Sequence, residues 1–174
     1  MTRTGRITLR SATLADASRI HALISANLVE GHLLPRTLPE ISLHADRFVV
    51  ATRGRKIVGC AELAPLSPQV SEVRSLAVDA SVRSNGVGTL LVEELRTRAR
   101  RDSYDKLCAF THAPGYFMPM GFSIVPHLWI PEKVFSDCVK CAEFRRCGQY
   151  AMVTPLDFVA DSIERDAQLV ARHA

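Results

Sequence analysis

The chain has 174 residues, of which 47% are hydrophobic and 23% charged, with a formal net charge of +4 and a pI near 9.0. This length and composition suit one globular domain with a real hydrophobic core. The mild positive charge favours anionic ligands, but the absence of a long basic run or of interleaved aromatic and basic residues argues against a nucleic-acid-binding protein.

The sequence shows neither a secretory signal nor a membrane-spanning segment. The opening stretch MTRTGRITLR has no apolar segment of the secretory type, and no apolar run approaches the length of a membrane span. The five cysteines are an odd number in a chain of ordinary size. We therefore expect a cytoplasmic protein with mostly free thiols and no membrane partner.

The first half of the chain predicts a strand, two helices and a hairpin. RITLRSAT is typical of a strand, and Thr13 with Asp16 three residues on predicts the start of an amphipathic helix. Its apolar face is Leu14, Ala17, Ile20, Ile24 and Leu28. A short helix is expected from about Leu38, and RFVVATR and KIVGCAEL form a hairpin around Gly54-Arg55.

The second half predicts four more strands and two helices. VSEVRSLAV and DKLCAFT are strands on either side of a helix from Gly86 to Arg101. A short helix or turn from Ala113 to Met120 ends at Gly121, and FSIVPHLWI and QYAMVTPL are the last strands. We place the domain at residues 1–156 and a helical tail at 157–174, which either covers a groove or a partner or frays at its end.

The segment RSNGVG, residues 83–88, lies between a predicted strand and a predicted helix. Gly86 and Gly88 let the backbone approach a ligand closely, and the helix N-terminus favours a phosphate, beside the positive charge of Arg83. Neither a P-loop nor a Rossmann fingerprint is present, because Gly-Lys-Ser/Thr and the third glycine are missing. Taken alone, the pattern favours a tight strand-to-helix turn that needs glycine.

The stretch LAVDASVRSNGVG, the helix after it and the later YFMPMGF resemble the GNAT family of acetyl-CoA-dependent N-acetyltransferases. The family signature Arg/Gln-x-x-Gly-x-Gly/Ala is matched by Arg83, Gly86 and Gly88. The resemblance implies an α/β fold with a mixed, mostly antiparallel sheet flanked by helices, in the order β-α-α-β-β-β-α-β-α-β-β. It also implies acetyl-CoA as co-substrate, held by Leu76, Ala77, Val78, Arg83, Ser84, Asn85, Gly86, Val87, Gly88 and Thr89.

A narrower resemblance is to bacterial N-acetylglutamate synthases, especially the short single-domain forms. It is carried by LLPRTLPEI, GCAEL, EVRSLAV and LWIPEKVFSDCVKC. It implies acetylation of the α-amine of L-glutamate, the first step of arginine biosynthesis. The long forms add an amino-acid-kinase-like domain that binds arginine. The chain leaves no room for that domain, so we expect any regulation to differ.

The same resemblance suggests three catalytic residues. A splayed strand at Ser75–Leu76 would leave backbone N–H groups free for the carbonyl oxygen of the acetyl group. Glu72 is the candidate base, acting through a water, with a surface carboxylate paired to Arg74 as the alternative. Many GNAT enzymes carry a tyrosine acid where this chain has Phe117. Tyr116 either serves from another angle or packs as an aromatic.

A glutamate pocket calls for cations that can hold two carboxylates. The candidates are Arg36, Arg74, His112 and Lys133. Arg36 matches a substrate arginine of the synthases, whereas His112 stands where the longer synthases carry a substrate arginine, and a neutral imidazole holds a carboxylate less firmly. For each candidate a solvated surface side chain is the alternative.

One basic segment and one cysteine-rich segment each fit more than one function. RTRARR at the helix end suits either a coenzyme phosphate or a solvated face that complements the helix dipole. Cys138, Cys141 and Cys147, with His127, have the spacing of a structural metal site, although free thiols or a reversible disulfide fit as well. No metal is expected in catalysis. Cys60 and Cys108 lie in predicted strands and are expected in the core.

Three functions therefore remain open from the sequence. The first is glutamate N-acetylation; the second is acetylation of another small amine or amino acid, such as glutamine; the third is a non-catalytic module that senses acetyl-CoA. All three predict a small-molecule ligand at Arg83-x-x-Gly86-x-Gly88, no nucleic acid and no membrane, with a homodimer left open.

Overall fold

In the computed structural model, which describes residues 6–30 and 33–156, seven strands form one sheet with helices on both faces. The strands are β1 Ile7–Ser11, β2 Phe48–Arg53, β3 Lys56–Pro65, β4 Val70–Val78, β5 Lys106–Thr111, β6 Ser123–Val125 and β7 Tyr150–Pro155. The helices of four or more residues in these ranges are α1 Ala17–Asn27, α2 Leu38–Leu43, α3 Val87–Arg101, α4 Pro114–Phe117 and α5 Pro131–Ser136. The tail predicted at 157–174 lies outside the described residues.

The predicted order of elements is confirmed, with one addition and one shortened strand. Helix α5 lies between β6 and β7, where no helix was predicted. The stretch FSIVPHLWI was expected to be one strand, but pairing stops at Val125 because Pro126 has no N–H to donate, and a single 3-10 turn, His127–Trp129, follows.

The strands lie in the order β1-β2-β3-β4-β5-β7-β6. Neighbouring strands run antiparallel, except β4 and β5, which are parallel. The long β3 and β4 are at the centre, and their apolar residues are buried on both sides. This places the parallel pair, with its helix crossover through α3, in the middle of the sheet.

Alternate residues of the central strands pack against different helices. Ala61, Leu63 and Val73 join the buried face of α3, which includes Leu91 and Leu95. The strand residues that point to the other face of the sheet pack against α1 and α2. They form a second cluster that includes Ile20, Ile24, Ile41, Val50, Cys60 and Ala77. A third, smaller cluster joins Ile130, just before α5, to β4, β5 and β7. The strand period of two thus divides the core into two layers.

Local capping explains where the 3-10 turn Leu14–Asp16, which leads into α1, and helix α2 begin. The carboxylate of Asp16 accepts a hydrogen bond of 2.9 Å from the backbone N–H of Thr13, as predicted, and also pairs with Arg10. At α2, Thr37 and Glu40 form a capping box, with Pro39 in the first turn. None of the helices within the described ranges combines the length and apolar character that a membrane crossing requires.

Candidate active site

The two central strands separate partway along their length. Strands β4 and β5 pair only from Val70 to Val73 of β4, although β4 continues to Val78. A cavity of about 1280 Å³ lies at this opening, lined by both strands, the start of α3, the segment before α2 and helix α5. Its volume exceeds the roughly 300–1,000 Å³ of a typical small-molecule pocket, so it has room for a long ligand and a second molecule.

A β-bulge in β4 lies in the wall of this cavity. Cys60 pairs with Ala77, but Glu62 pairs with Arg74, so Ser75 and Leu76 have no register partner on β3. Ser75 has a φ of +51°, in the left-handed region that non-glycine residues rarely adopt. Strand β4 thus leaves the β5 ladder after Val73 and bulges against β3 at Ser75–Leu76, the position where the sequence predicts a splayed strand. A bulge of this kind turns backbone groups out of the ladder and toward a neighbouring ligand.

The glycine loop leads directly into the N-terminus of α3. Gly86 is the residue before the helix and has a φ of +74°, which a side chain would strain. Arg83 donates to the carbonyl of Val78 at 3.1 Å and to the side chain of Asn27 at 2.6 Å. Arg83 thus fastens the loop to β4 and α1, and the helix start is held open to the cavity as an anion site.

Tyr116 covers the first turn of α3. A Cβ placed on Gly88 would lie 2.1 Å from the Tyr116 hydroxyl oxygen, so any larger residue requires the ring to move. Burial raises the pKa of Tyr116, although its hydrogen bond with Thr89 acts in the other direction, and the hydroxyl is therefore a neutral donor at pH 7. The ring also packs edge-on against Phe117, with centroids 5.2 Å apart. Both predicted readings of Tyr116 thus have a structural basis.

Four charged side chains meet on the far side of the bulge. Glu72 is 3% exposed and is paired with Arg74 and with Lys133 Nζ, the latter at 2.9 Å. Asp137 completes the group, since it accepts from Lys133 at 2.8 Å and from Arg74. Burial opposes charge on Arg74, but the charge and hydrogen bond of Glu72 outweigh it and raise the pKa of Arg74. These residues form a balanced network, here called the acid–base quartet.

The quartet corrects two surface alternatives from the sequence. Glu72 is paired with Arg74, as that alternative required, but it is buried and not on the surface. The Lys133 side chain is 12% exposed and its Nζ lies 5.3 Å from the centre of the Phe110 ring, so it is not a solvated surface cation. Both residues are fixed in the cavity wall.

A second, looser pair faces the same cavity. Arg36 Nη1 lies 3.1 Å from Glu62 Oε2, and the Glu62 side chain is 1% exposed. The two groups are not aligned as a hydrogen bond: Glu62 Oε2 and Arg36 Nε are both buried without a hydrogen-bond partner. Arg36 Nε has a more distant neighbour, Glu40 Oε2 at 4.0 Å, and makes no hydrogen bond within the described residues.

Most of the predicted site residues share this cavity. Those that line it are Arg36, Glu72, Arg74, Ser75, Leu76, Val78, Arg83, Ser84, Gly86, Val87, Gly88, Thr89, Tyr116 and Lys133. Among the described residues, the lining does not include Ala77, Asn85 or His112. Ala77 is buried against the α1 layer, and the exposed ring of His112 lies beside Gly148.

The two ambiguous segments have different outcomes. In RTRARR, Arg98 is 9% exposed and donates hydrogen bonds to Glu94 and Ser11. The prediction of a solvated face is therefore wrong for this residue. Within residues 6–30 and 33–156, no group of three or more His, Cys, Asp or Glu is placed to hold a metal ion. Cys138, Cys141 and Cys147 are free thiols that line the cavity.

The core cysteines behave as predicted. Cys60 and Cys108 are both fully buried. Burial raises the pKa of the Cys60 thiol to about 12 and raises that of Cys108 as well, so both are inert neutral side chains at pH 7.

Three site residues were missed by the sequence reasoning. Glu62 could have been found, because it is a lone charge in the otherwise apolar part of strand β3 that follows Lys56. Asn27 and Asp137 carry no such signal. Each is a polar residue near the end of a short element, and only the folded chain brings Asn27 to Arg83 and Asp137 to Arg74.

This chain is similar in sequence to acetyltransferases. Residues 18–122 match the model of the Acetyltransferase (GNAT) family. An uncharacterized N-acetyltransferase of Chlorobaculum tepidum is 32% identical over 148 residues, which cover 85% of this chain and 96% of that protein. An amino-acid acetyltransferase of Salmonella arizonae is 29% identical over 71% of this chain, but the match spans only 28% of that longer protein.

Solved structures share the same fold. N-acetylglutamate synthase from Neisseria gonorrhoeae, in complex with coenzyme A and N-acetyl-glutamate, superimposes with a TM-score of 0.79 at 23% identity. The match covers 88% of this chain and 36% of the synthase. A Mycobacterium tuberculosis protein in complex with CoA gives 0.72 at 24% identity and is covered over 98% of its length.

Proposed function

The chain belongs to the acetyltransferase (GNAT) family, and we propose that it transfers the acetyl group of acetyl-CoA to the α-amine of L-glutamate, the reaction that begins arginine biosynthesis. The similarity to amino-acid acetyltransferases supports an amino-acid acceptor. The observation that carries this proposal is Arg36 in the wall of the cavity that the glycine loop also lines: its side chain is 16% exposed, and its buried Nε makes no hydrogen bond.

The residues of the glycine loop fit the acetyl donor. Gly86 to Thr89 offer the N-terminus of a 15-residue helix for a pyrophosphate, with Arg83 held beside it. The same cavity continues from this helix to the bulge at Ser75–Leu76. An acetyl group at the end of an extended pantetheine chain would reach the bulge, where backbone N–H groups outside the ladder can stabilise the oxyanion.

The transfer needs a deprotonated amine and a protonated leaving group. In this proposal the amine nitrogen attacks the thioester carbon, the C–N bond forms, and the C–S bond breaks as the thiolate leaves. Tyr116, with its raised pKa, is a neutral donor for that thiolate. Glu72 acts either as the predicted base through a water or as the fixed anion that positions Arg74 and Lys133.

The carboxylates of glutamate have three cations available in the wall. Arg36 Nε is open to one carboxylate, and Arg74 and Lys133 lie beside the bulge for the other. Each cation already has an anionic neighbour, so the second carboxylate must share Arg74 or Lys133 with Glu72 and Asp137. Arginine is suited to such sharing because its planar fork presents several donors.

A neutral amino acid such as glutamine is the second candidate, and the pairing of the three cations assigned to the acceptor favours it. The cations Arg36, Arg74 and Lys133 are matched by an equal number of carboxylates: Glu62, Glu72 and Asp137. His112, which the sequence offered as a fourth group to bind the carboxylates of glutamate, is not among the residues that line the cavity. A net-neutral zwitterion would therefore leave the balance undisturbed.

A thiol-release assay decides among these functions. Purified protein is incubated with acetyl-CoA and each of the twenty amino acids at neutral pH, and the free thiol of CoA is followed with time. We expect release with glutamate and little with the other amino acids. Release with glutamine or another neutral amino acid in place of glutamate would keep the fold and the donor site and reassign the acceptor.

Binding of acetyl-CoA without turnover on any amino acid would count against catalysis of this kind and favour the sensing module. Titration calorimetry with CoA supplies that measurement. The matched control is Gly86→Ala, which strains a backbone with positive φ at the helix start and should lose CoA binding without touching the quartet.

A further inference from the structure

Glu62 is a buried carboxylate that the fold leaves incompletely bonded. It lies on β3 opposite Arg74, the residue immediately before the bulge, and its side chain is 1% exposed. Its Oε2 has no hydrogen-bond partner and the residue lines the cavity. Arg36 is close enough for attraction but is not aligned to donate.

An arrangement of this kind is costly unless a ligand completes it. A buried ionised carboxylate needs both a counter-charge and hydrogen bonds, and the large majority of buried polar atoms in proteins have a partner. Apolar neighbours on β3 such as Ala61 and Leu63 show that the strand can be built without a charge. An open acceptor in a substrate cavity indicates that the missing donor belongs to the substrate.

The open donor of Arg36 defines the other half of the ligand. An α-amino acid carries an ammonium, which can donate to Glu62 Oε2, and a carboxylate, which can accept from Arg36 Nε. We propose that Glu62 binds the ammonium group of the acceptor amino acid and takes its proton before the amine attacks the acetyl group. This inference rests on the proposed function and adds a base and a substrate class to it.

Glu72 is less suited to accept that proton. Lys133 lies 2.9 Å from each of its carboxylate oxygens, and Arg74 Nε also donates to Oε2. Both oxygens of Glu72 are therefore already in contact with cationic donors. Glu72 therefore holds Arg74 and Lys133 in place, whereas Glu62 offers a free lone pair.

The charged groups around Glu62 come from several elements. Arg36 and Glu40 approach from the segment before α2 and from α2 itself, and Arg74 and Glu72 from β4. Cys60 on the same strand is near enough that the charge of Glu62 contributes to its raised pKa, below the effect of burial. His44 and Arg47 line the same cavity from the end of α2 onward.

The proposed step balances in atoms and charge. One proton passes from the ammonium to Glu62, and the neutral amine then attacks the thioester carbon. The C–N bond forms and the C–S bond breaks; Tyr116 gives its proton to the departing thiolate and is reprotonated by the second proton on nitrogen. Glu62 releases its proton to water after the products leave, so one proton appears in solution for each acetyl group transferred.

The test compares Glu62→Gln with Glu72→Gln across a range of pH, using acetyl-CoA and the amino acid that the wild type acetylates. Removal of a general base lowers kcat about 100-fold or more, so we expect at least that loss for Glu62→Gln at pH 7. The loss should shrink as the pH approaches the pKa of the free amine. Glu62→Asp, which keeps a carboxylate, should recover part of the rate.

Two controls separate chemistry from folding. Glu93→Gln changes an exposed carboxylate of α3 outside the cavity and should leave the rate unchanged. CoA binding by titration calorimetry checks that each variant is folded. If Glu62→Gln fails to bind CoA, Glu62→Asp decides: a reduced kcat with unchanged CoA affinity supports the proposal, and an unchanged kcat overturns it.

Other outcomes would overturn the inference. A Glu62→Gln rate within threefold of wild type, or a change in KM alone at every pH, would remove Glu62 as the base. A wild type that acetylates none of the twenty amino acids would overturn the proposed function and this inference with it. Turnover by the wild type with no loss in Glu62→Gln overturns the inference alone.

Discussion

Replacing Gly88 by alanine tests whether Tyr116 and the start of α3 form one surface for the acetyl donor. An added Cβ would lie 2.1 Å from the Tyr116 hydroxyl oxygen and 3.3 Å from its Cζ. Ordinary van der Waals separation requires the hydroxyl to withdraw by more than about 1 Å. Because the ring is 42% exposed, it can swing toward solvent, and the cost to stability is limited to about 0.5–1.5 kcal/mol for the lost bond with Thr89.

The larger effect is expected on CoA binding. A displaced ring or a shifted helix start removes at least one charge-assisted hydrogen bond to the pyrophosphate. Such a bond contributes about 1.5–3 kcal/mol, which corresponds to about a 10- to 150-fold increase in Kd. Titration calorimetry with CoA measures it directly and does not depend on the acceptor. Gly115→Ala is the matched control, since nothing lies within 4 Å of its added Cβ.

A double-mutant cycle identifies the clash partner. In a Tyr116→Phe background the oxygen is absent, so Gly88→Ala should weaken CoA binding by only about threefold or less. An equal loss in both backgrounds would show that the alanine acts on the helix backbone and not through Tyr116. An unchanged Kd for Gly88→Ala in the wild-type background would refute the assignment of this helix start to the pyrophosphate.

Three further predictions concern the charged groups. Arg36→Ala should raise the KM for the acceptor about 10- to 100-fold with the Kd for CoA unchanged, and equal KM values would remove Arg36 from the pocket. Lys133→Met leaves Glu72 with one cation and should lower the free energy of urea unfolding by about 1–3 kcal/mol, with Lys140→Met as the exposed control. Asp16 has a pKa lowered mainly by its hydrogen bonds from Arg10, so it stabilises the fold above its unfolded pKa of about 3.9 and loses that contribution as the pH falls. In Asp16→Asn, Tm should therefore fall less steeply than in the wild type as the pH is lowered. Equal slopes of Tm against pH for the two proteins would refute a stabilising contribution from ionised Asp16.

Much of the fold follows from local patterns that need no tertiary context. The hairpin around Gly54 and the capping residue Thr37 of α2 are read from turn and cap chemistry within a few residues. The same holds for the left-handed Gly86 before α3. The shortened β6 was missed because FSIVPHLWI is apolar throughout, and apolarity alone does not separate a buried strand from a short 3-10 turn.

In the candidate site, too, some residues are close in sequence and others are brought together only by the fold. Arg83, Gly86 and Gly88 are close in sequence, and their spacing together with the family resemblance predicts an anion site at a helix start. The acid–base quartet instead joins residues 61 and 63 positions apart, Lys133 with Glu72 and Asp137 with Arg74. No local pattern encodes such a contact, since it depends on how α5 lies against β4.

The sequence by itself determined the order of strands and helices, because glycine spacing, apolar period and capping are properties of the chain, and its resemblance to a known family indicated the class of fold, the donor loop and most of the side chains in the cavity wall. Only the tertiary structure decided what those side chains can do. It buried Glu72 between two cations and left Glu62 open beside Arg36. The physical reason is that the reactivity of a carboxylate depends on the charges and donors around it in space, and these come from distant strands and helices.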